Sequence, residues 1–287
     1  NRFVETFINF ETHEHEDHLR GIARLAKFGY DLPPLVMNTH SKRVLKRMMQ
    51  EERVPKAFRE DLLERCHIID MDDWRDMTKE EAESVCSYAY GNTVIEQGTE
   101  AIWSEEEQRT KYFPYLQVYD KSHPEHKIPV RVGPAGHSAY ALMFEIGGVL
   151  YTGDYKLDQT IPAAVRTDLD WLRRCRDTAA VHVMETTNAG RSNEDNPTQD
   201  EIRGNLRKIF LHERRHRIFY DLIGSNAINM KLCCEAIGEA RDEAAAKGEP
   251  PPFKYIIFAG SSVLKKYGDL NFTDGLSAMM EERYNIK

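Results

Sequence analysis

Between residues 19 and 29 apolar side chains recur at helical spacing: Leu19, Ile22, Leu25 and Ala26 share one face, and Gly29 stands where a C-terminal cap belongs. The segment before it, Phe3 to Phe10, mixes aromatic and β-branched residues with polar ones and reads as a strand. A second helix is expected with Ser41 as its cap and Val44, Leu45, Met48 and Met49 on one face. A third opens at Pro55 and runs to Arg65, and His67 to Met71 reads as a short strand. The S/T-x-x-E pattern at Thr78 to Glu81 and again at Ser104 to Glu107 predicts two more helix starts. Both fall in a polar, tyrosine-bearing stretch, about residues 78–126, that reads as a surface elaboration forming the lip of a cleft.

Strand-like patterning resumes at Ile128 to Gly133. Tyr140 to Ile146 then alternates into Gly147-Gly148, and Val149 to Asp154 returns as the second arm of a hairpin. Ala180 to Glu185 reads as a buried-type strand ending in an acid. After it come a helix from Thr198 to about Arg214, a strand at Arg217 to Leu222, and a helix opening at Gly224-Ser225-Asn226. A further strand, Tyr255 to Ala259, leads into Gly260-Ser261-Ser262. Repeated strand–loop–helix units imply a parallel α/β layer, so the chain divides into residues 1–190 and 191–287. Ser225, Asn226, Ser261 and Ser262 fall where a helix N-terminus following a strand would bind phosphate, although an ordinary N-cap is the better reading of each taken alone.

Composition narrows the field. The 287 residues include no apolar run long enough to span a membrane. Five cysteines (Cys66, Cys86, Cys175, Cys233, Cys234) make an odd set without metal-type spacing. Adjacent Cys233 and Cys234, inside an expected helix, read as core thiols, and a reduced, cytoplasmic setting is the default. A net charge of −8 argues against a surface coated in basic residues. It leaves a metal-centred phosphodiester site open, because bound divalent ions reverse the sign inside a cleft. Arg203, Arg207, Lys208, Arg214, Arg215 and Arg217 are the basic concentration, explained at least as well by a solvated helix face as by RNA contact. The oligomeric state stays open, a homo-oligomer included.

The chemistry concentrates in Thr12-His13-Glu14-His15-Glu16-Asp17-His18, on the turn from the first strand into the first helix. Alternation in extended backbone would aim His13 and His15 the same way, with Asp17 and His18 following at the turn. Glu14 and Glu16 are then expected to be solvated acids pointing away from the ligands. Far along the chain, His137 follows Gly136 and Asp154 follows Gly153, each at a strand end of the predicted hairpin pair. His40 and His67 have no ligand neighbours and read as structural; His123 and His126, flanking Pro124-Glu125, are weaker metal candidates.

His-x-His-x-Asp-His after a strand, with the later Gly-His and Thr-Gly-Asp in order, resembles the metal motifs of the metallo-β-lactamase fold. Glu185-Thr186-Thr187 resembles the acid-Ser/Thr-Thr element that opens the β-CASP region of nucleases, and Thr187-Asn188-Ala189 is most similar to the RNase J-like branch. The resemblance implies an αββα metallo-β-lactamase sandwich followed by the first part of a parallel α/β β-CASP domain. It implies that the initial strands of the fold are missing from this chain, and that later histidine motifs lie beyond Lys287. It also implies an RNA phosphodiesterase, exo- or endonucleolytic, with two divalent metal ions. Zinc suits the donors, and manganese would accept them too. On this basis His13, His15 and His137 would hold one ion, Asp17 and His18 the other, with Asp154 shared because a carboxylate has two oxygens. Asp17 would also orient the attacking water, and Glu185 would orient a histidine that protonates the leaving oxygen. The alternatives are a thioester or lactone hydrolase of the same fold, a DNA-directed β-CASP nuclease, and a non-catalytic partner-binding subunit. The α/β segment after residue 190 counts against the first of these, and the retention of all six ligands against the last.

Overall fold

Leu35, Val36 and Met37 are buried on both faces of one short strand, and their alternation sets the layers around it. In the computed structural model, which describes residues 7–75, 77–138, 140–161, 165–186, 190, 197–213, 218–220 and 227–252, the chain is mixed α/β. It falls into two compact units, Asn1–Thr187 and Asn188–Lys287.

The first unit begins with β1 (Asn9–Phe10), α1 (Glu16–Lys27), β2 (Leu35–Met37), α2 (Thr39–Glu51), α3 (Lys56–Glu64) and β3 (Cys66–Ile68). The strands form a parallel sheet in the order β1-β2-β3. Leu35 and Met37 pack with Leu19, Ile22, Leu45 and Met49 of the helices, whereas Val36 faces the opposite way. Gly29 takes the left-handed φ of +76° that ends α1, and Tyr30 N–H closes the turn on Leu25 O at 3.2 Å. Leu25 is not on the buried face: it is exposed, and Ala23 packs inside with Leu19, Ile22 and Ala26. The cap of α2 is Asn38, whose Oδ1 accepts from Ser41 N–H at 2.7 Å. Ser41 lies inside the helix and is buried, since Asn38 has the extended backbone a cap requires.

Next come α4 (Asp72–Arg75), α5 (Lys79–Ala82), β4 (Cys86–Tyr90), β5 (Thr93–Ser104), β6 (Arg109–Asp120), β7 (Ile128–Pro134), β8 (Leu142–Ile146), β9 (Val149–Tyr151), α6 (Leu169–Thr178) and β10 (Val181–Val183). The strands β4 to β10 make one seven-stranded sheet in sequence order, antiparallel except at β9–β10. Val132 and Phe144 pair across β7 and β8 and face the small sheet, where the Phe144 ring lies 5.1 Å from that of Phe10. Gly133, of opposite parity, faces α6: a Cβ there would lie 2.3 Å from the indole of Trp171. The layers therefore run helices, small sheet, large sheet, helix.

Three expectations are corrected in this sheet. The capping box at Thr78 does start α5, with both reciprocal bonds made, but Ser104 ends β5, and its Oγ accepts from Glu107 N–H within a hairpin turn. Twelve paired positions between β5 and β6 outweigh one local capping pattern. Residues 78–126 are consequently not a surface elaboration, because Ile95, Phe113, Leu116 and Val118 belong to the main core. Finally, β10 is an exposed edge strand rather than a buried one.

The second unit contains α7 (Gln199–His212), started by the Thr198 capping box, and α8 (Ala227–Ala246). They pack through Leu206, Phe210, Leu232, Cys233, Ala236 and Ile237. Cys233 and Cys234 are buried thiols, pushed up to about 11 and about 12 by burial. Arg203 pairs with Asp200, Glu235 and Glu239, and Arg207 with Glu243, so both arginines of α7 are engaged by carboxylates, while Lys208 on the same helix is exposed. The strand expected at 255–259, and all but 218–220 of the one at 217–222, lie outside the described residues, as do Arg214, Arg215 and Arg217.

Candidate metal centre

The segment leaving β1 is fixed at both ends. Leu142 N–H donates to Thr12 O at 2.7 Å, and His15 is the N-terminal cap residue of α1, its carbonyl accepting from His18 and Leu19 N–H. Thr12 Oγ1 lies 3.0 Å from His13 Nδ1, so the other ring nitrogen of this fully buried histidine faces the cluster. His13 Nε2 is 3.1 Å from His15 Nδ1. Ring centroids of His13 and His18 are 4.0 Å apart, and both His13 and His15 lie 5.1 Å from His137.

Two glycines let the distant ligands approach. Gly136 has φ +69°, and a Cβ there would lie 2.5 Å from Lys156 O; Gly153 has φ +54°, and a Cβ would lie 2.7 Å from the Thr12 side chain. No other residue fits at either position without moving backbone or side chains. Beyond them, Asp154 Oδ2 is 3.5 Å from His137 Nε2 and 3.7 Å from His13 Nε2. Its Oδ1 is 3.9 Å from His18 Nε2, which in turn lies 3.7 Å from Asp17 Oδ2. His13, His15, His137 and Asp154 place donor atoms within 4.8 Å of one another and could hold a metal ion. Asp17 is largely exposed at the edge of this group.

Burial favours the neutral form of three of these imidazoles. His13 is lowered to about 2, chiefly by desolvation and then by repulsion from His18, His15 and His137. His15 falls to about 4 by desolvation and the neighbouring His137, against the opposing pull of Asp17 and Asp154. His137 is lowered by burial, although Asp154 and Glu185 favour its charged form. Neutral rings offer lone pairs, the state a divalent ion needs. Among the described residues, His15 Nε2 and His137 Nε2 are buried without a hydrogen-bond partner. Such atoms are costly unless something coordinates them, so the donor set fits a nitrogen-preferring divalent cation.

Glu14 overturns its expectation as a solvated acid. It is buried; Ser138 Oγ donates to its Oε2 at 3.0 Å, and Oε1 lies 4.0 Å from His40 Nε2. The physical reason is tertiary: the loop carrying His137 folds over the far side of the His13–His15 segment. That loop is held in turn by Asn38 Nδ2, which donates to the carbonyl of Tyr140, a residue at φ +65°. Glu14 thus links the residue between two candidate ligands to the one after a third. The sequence signal was available in its parity, opposite to His13 beside a strand covered on both sides. Glu16, by contrast, is exposed and pairs with Arg20 at 3.0 Å.

Glu185 is half-buried just past β10; its backbone N–H lies 3.4 Å from Thr152 Oγ1, and its charge reaches His137. His67 is buried and 2.6 Å from Gln97 Oε1, a structural setting, and His40 lies against Glu14. Ser225, Asn226, Ser261 and Ser262, and the run Thr187-Asn188-Ala189, lie outside the described residues. Among the described residues no helix is long and apolar enough to cross a membrane. No protein-family model matches the chain, and a search of curated proteins found none similar to it.

Proposed function

We propose that this chain is a dinuclear metal-dependent phosphodiesterase of the metallo-β-lactamase fold, continuing into a β-CASP-type domain and hydrolysing RNA as RNase J-like nucleases do. One observation carries the reading: the two oxygens of Asp154 face different histidines, Oδ2 toward His13 and His137 and Oδ1 toward His18. That is the disposition of a carboxylate shared between two ions. The helix–sheet–sheet–helix layering supports the sandwich, and the choice of RNA rests on the resemblance of Thr187-Asn188-Ala189.

His13, His15 and His137 would hold one ion, and His18 with Asp17 the other. Zinc, or manganese in its place, would supply an activated water and neutralise charge gathering on a phosphate. The protein's own contribution is positional. Buried His13 and Thr12 fix ring orientation, the neutral imidazoles avoid a proton competing for each lone pair, and the two glycines hold the distant ligands close. Asp17, exposed at the rim, would also orient the attacking water. Glu185, beside His137, is the acid that would orient a proton donor to the leaving oxygen.

The test is incubation of the protein with 5′-monophosphorylated RNA, matched DNA and a thioester, each with and without chelator. Chelator-sensitive cleavage of RNA in preference to both others is expected. Turnover of the thioester alone would overturn the phosphodiesterase reading in favour of a small-substrate hydrolase. Cleavage of DNA alone would overturn the choice of RNA.

A further inference from the structure

The connection between β6 and β7 carries a second histidine–carboxylate group that shares no residue with the centre above. His123, Glu125 and His126 place one donor atom each within 4.8 Å of one another. Both histidines converge on the same oxygen: Glu125 Oε1 lies 3.5 Å from His123 Nδ1 and 3.9 Å from His126 Nε2. The two rings stack with centroids 5.8 Å apart and planes 19° from parallel.

The backbone that presents them is held at both ends. Asp120 O accepts from His123 N–H at 2.9 Å, and His123 O from His126 N–H at 3.0 Å, so the histidines sit one turn apart on the same side. Ahead of them, Asp120 Oδ1 accepts from Ser122 N–H, while Lys121 N–H and Nζ reach Asn92 O and Gly91 O in the neighbouring β4–β5 turn. Behind them, Lys127 Nζ is 2.6 Å from Glu96 Oε2. Pro124 sits between the donors and restricts φ at that point.

We infer that this turn is a separate binding site for a borderline divalent transition metal, Zn²⁺, Cu²⁺ or Ni²⁺, with two imidazoles and one carboxylate as ligands. The donor set decides the class. Imidazole nitrogens select these ions, whereas Ca²⁺ and Mg²⁺ require a shell of oxygens that one carboxylate does not supply. Donors around a tetrahedral zinc stand about 3.3 Å apart, from metal–ligand distances of about 2.0–2.1 Å. The observed 3.5 and 3.9 Å from the carboxylate oxygen are close to that spacing, and all three donors lie within 4.8 Å of one another. The two exposed rings would have to turn out of their stacked arrangement to aim both lone pairs at one ion. Three protein ligands leave a fourth position for water or for a donor from another molecule.

The experiment is a Zn²⁺ titration followed calorimetrically, repeated with Cu²⁺ and followed by electron paramagnetic resonance. It compares the wild-type protein with the His123→Ala/His126→Ala double variant and with Glu125→Ala. All three side chains are exposed and the two rings stack only on each other, so the substitutions remove no core packing. The double variant is expected to lose one metal-binding event and the matching copper signal, with the remaining events unchanged. Glu125→Ala is expected to weaken that same event. Identical isotherms and spectra for wild type and double variant would overturn the assignment.

Discussion

Two histidine–carboxylate groups in one protein are built in opposite ways. The group at His13, His15, His18, His137 and Asp154 is assembled from segments more than a hundred residues apart and is mostly withdrawn from water. The group at His123, Glu125 and His126 comes from four consecutive residues and is exposed. The contrast is also electrostatic. Burial drives His13 and His15 far below the ordinary imidazole range, while Glu125, fully in solvent, is lowered by a backbone hydrogen bond and its histidine neighbours.

The sharpest way to break this contrast is Asp154→Ala. If the buried group is a shared-carboxylate centre, the variant should lose bound metal at both positions. RNA hydrolysis should then fall by on the order of 10³-fold or more, read by metal analysis and a cleavage assay. Retention of both ions at full occupancy would remove the shared role. A second, smaller effect is expected at Glu14, which joins the two ligand-bearing loops. Glu14→Ala should weaken metal affinity by roughly 10- to 100-fold in chelator competition, as loss of an outer hydrogen-bonding partner does. Glu14→Gln, keeping an oxygen for Ser138, should recover most of it. Equal affinities for Ala and wild type would mean that the Glu14–Ser138 bond does not support the ligands.

A third prediction tests burial itself, and it reads folding stability rather than metal binding. Glu11, at the entrance to the same segment, is raised by desolvation from 4.5 to about 8. Between those values the folded chain holds a proton that the unfolded chain has released. Stability therefore declines as pH rises through this window, by about 1.4 kcal/mol per pH unit for one such group. Glu11→Gln should flatten the decline between pH 5 and 8 in urea unfolding of the metal-free protein. An unchanged slope would place the titration elsewhere.

What the sequence made legible was whatever a single element decides. The Gly147-Gly148 hairpin, the Gly29 stop, the capping box at Thr78 and the helix start at Thr198 all depend on a few adjacent residues, and all are present. The approach of His137 to Asp154 was legible too, because each ends a strand of one antiparallel run. Their convergence on the His13 segment was expected only from the resemblance of the motifs. Apart from the cap of α2, a local misplacement by three residues, and the exposed Leu25, three misreadings share one cause, competition from partners distant in the chain. Ser104 has a good local capping pattern, but a long β ladder takes the segment. Glu14 is an ordinary acid in sequence until the loop after His137 covers it. Val181 and Val183 have the composition of a central strand but occupy an edge, a property of sheet order that composition does not encode.

Asn38 illustrates how such distant partners bear on residue choice. Its carboxamide accepts from Ser41 N–H with one end and donates to Tyr140 O with the other, while wholly shielded from solvent. Aspartate would preserve the acceptor and set a carboxylate oxygen against a carbonyl; serine would be too short to serve both ends at once. A helix start and the placement of a loop a hundred positions away thus hang on one planar group with opposite polarity at its two tips, and neither partner alone would dictate its identity.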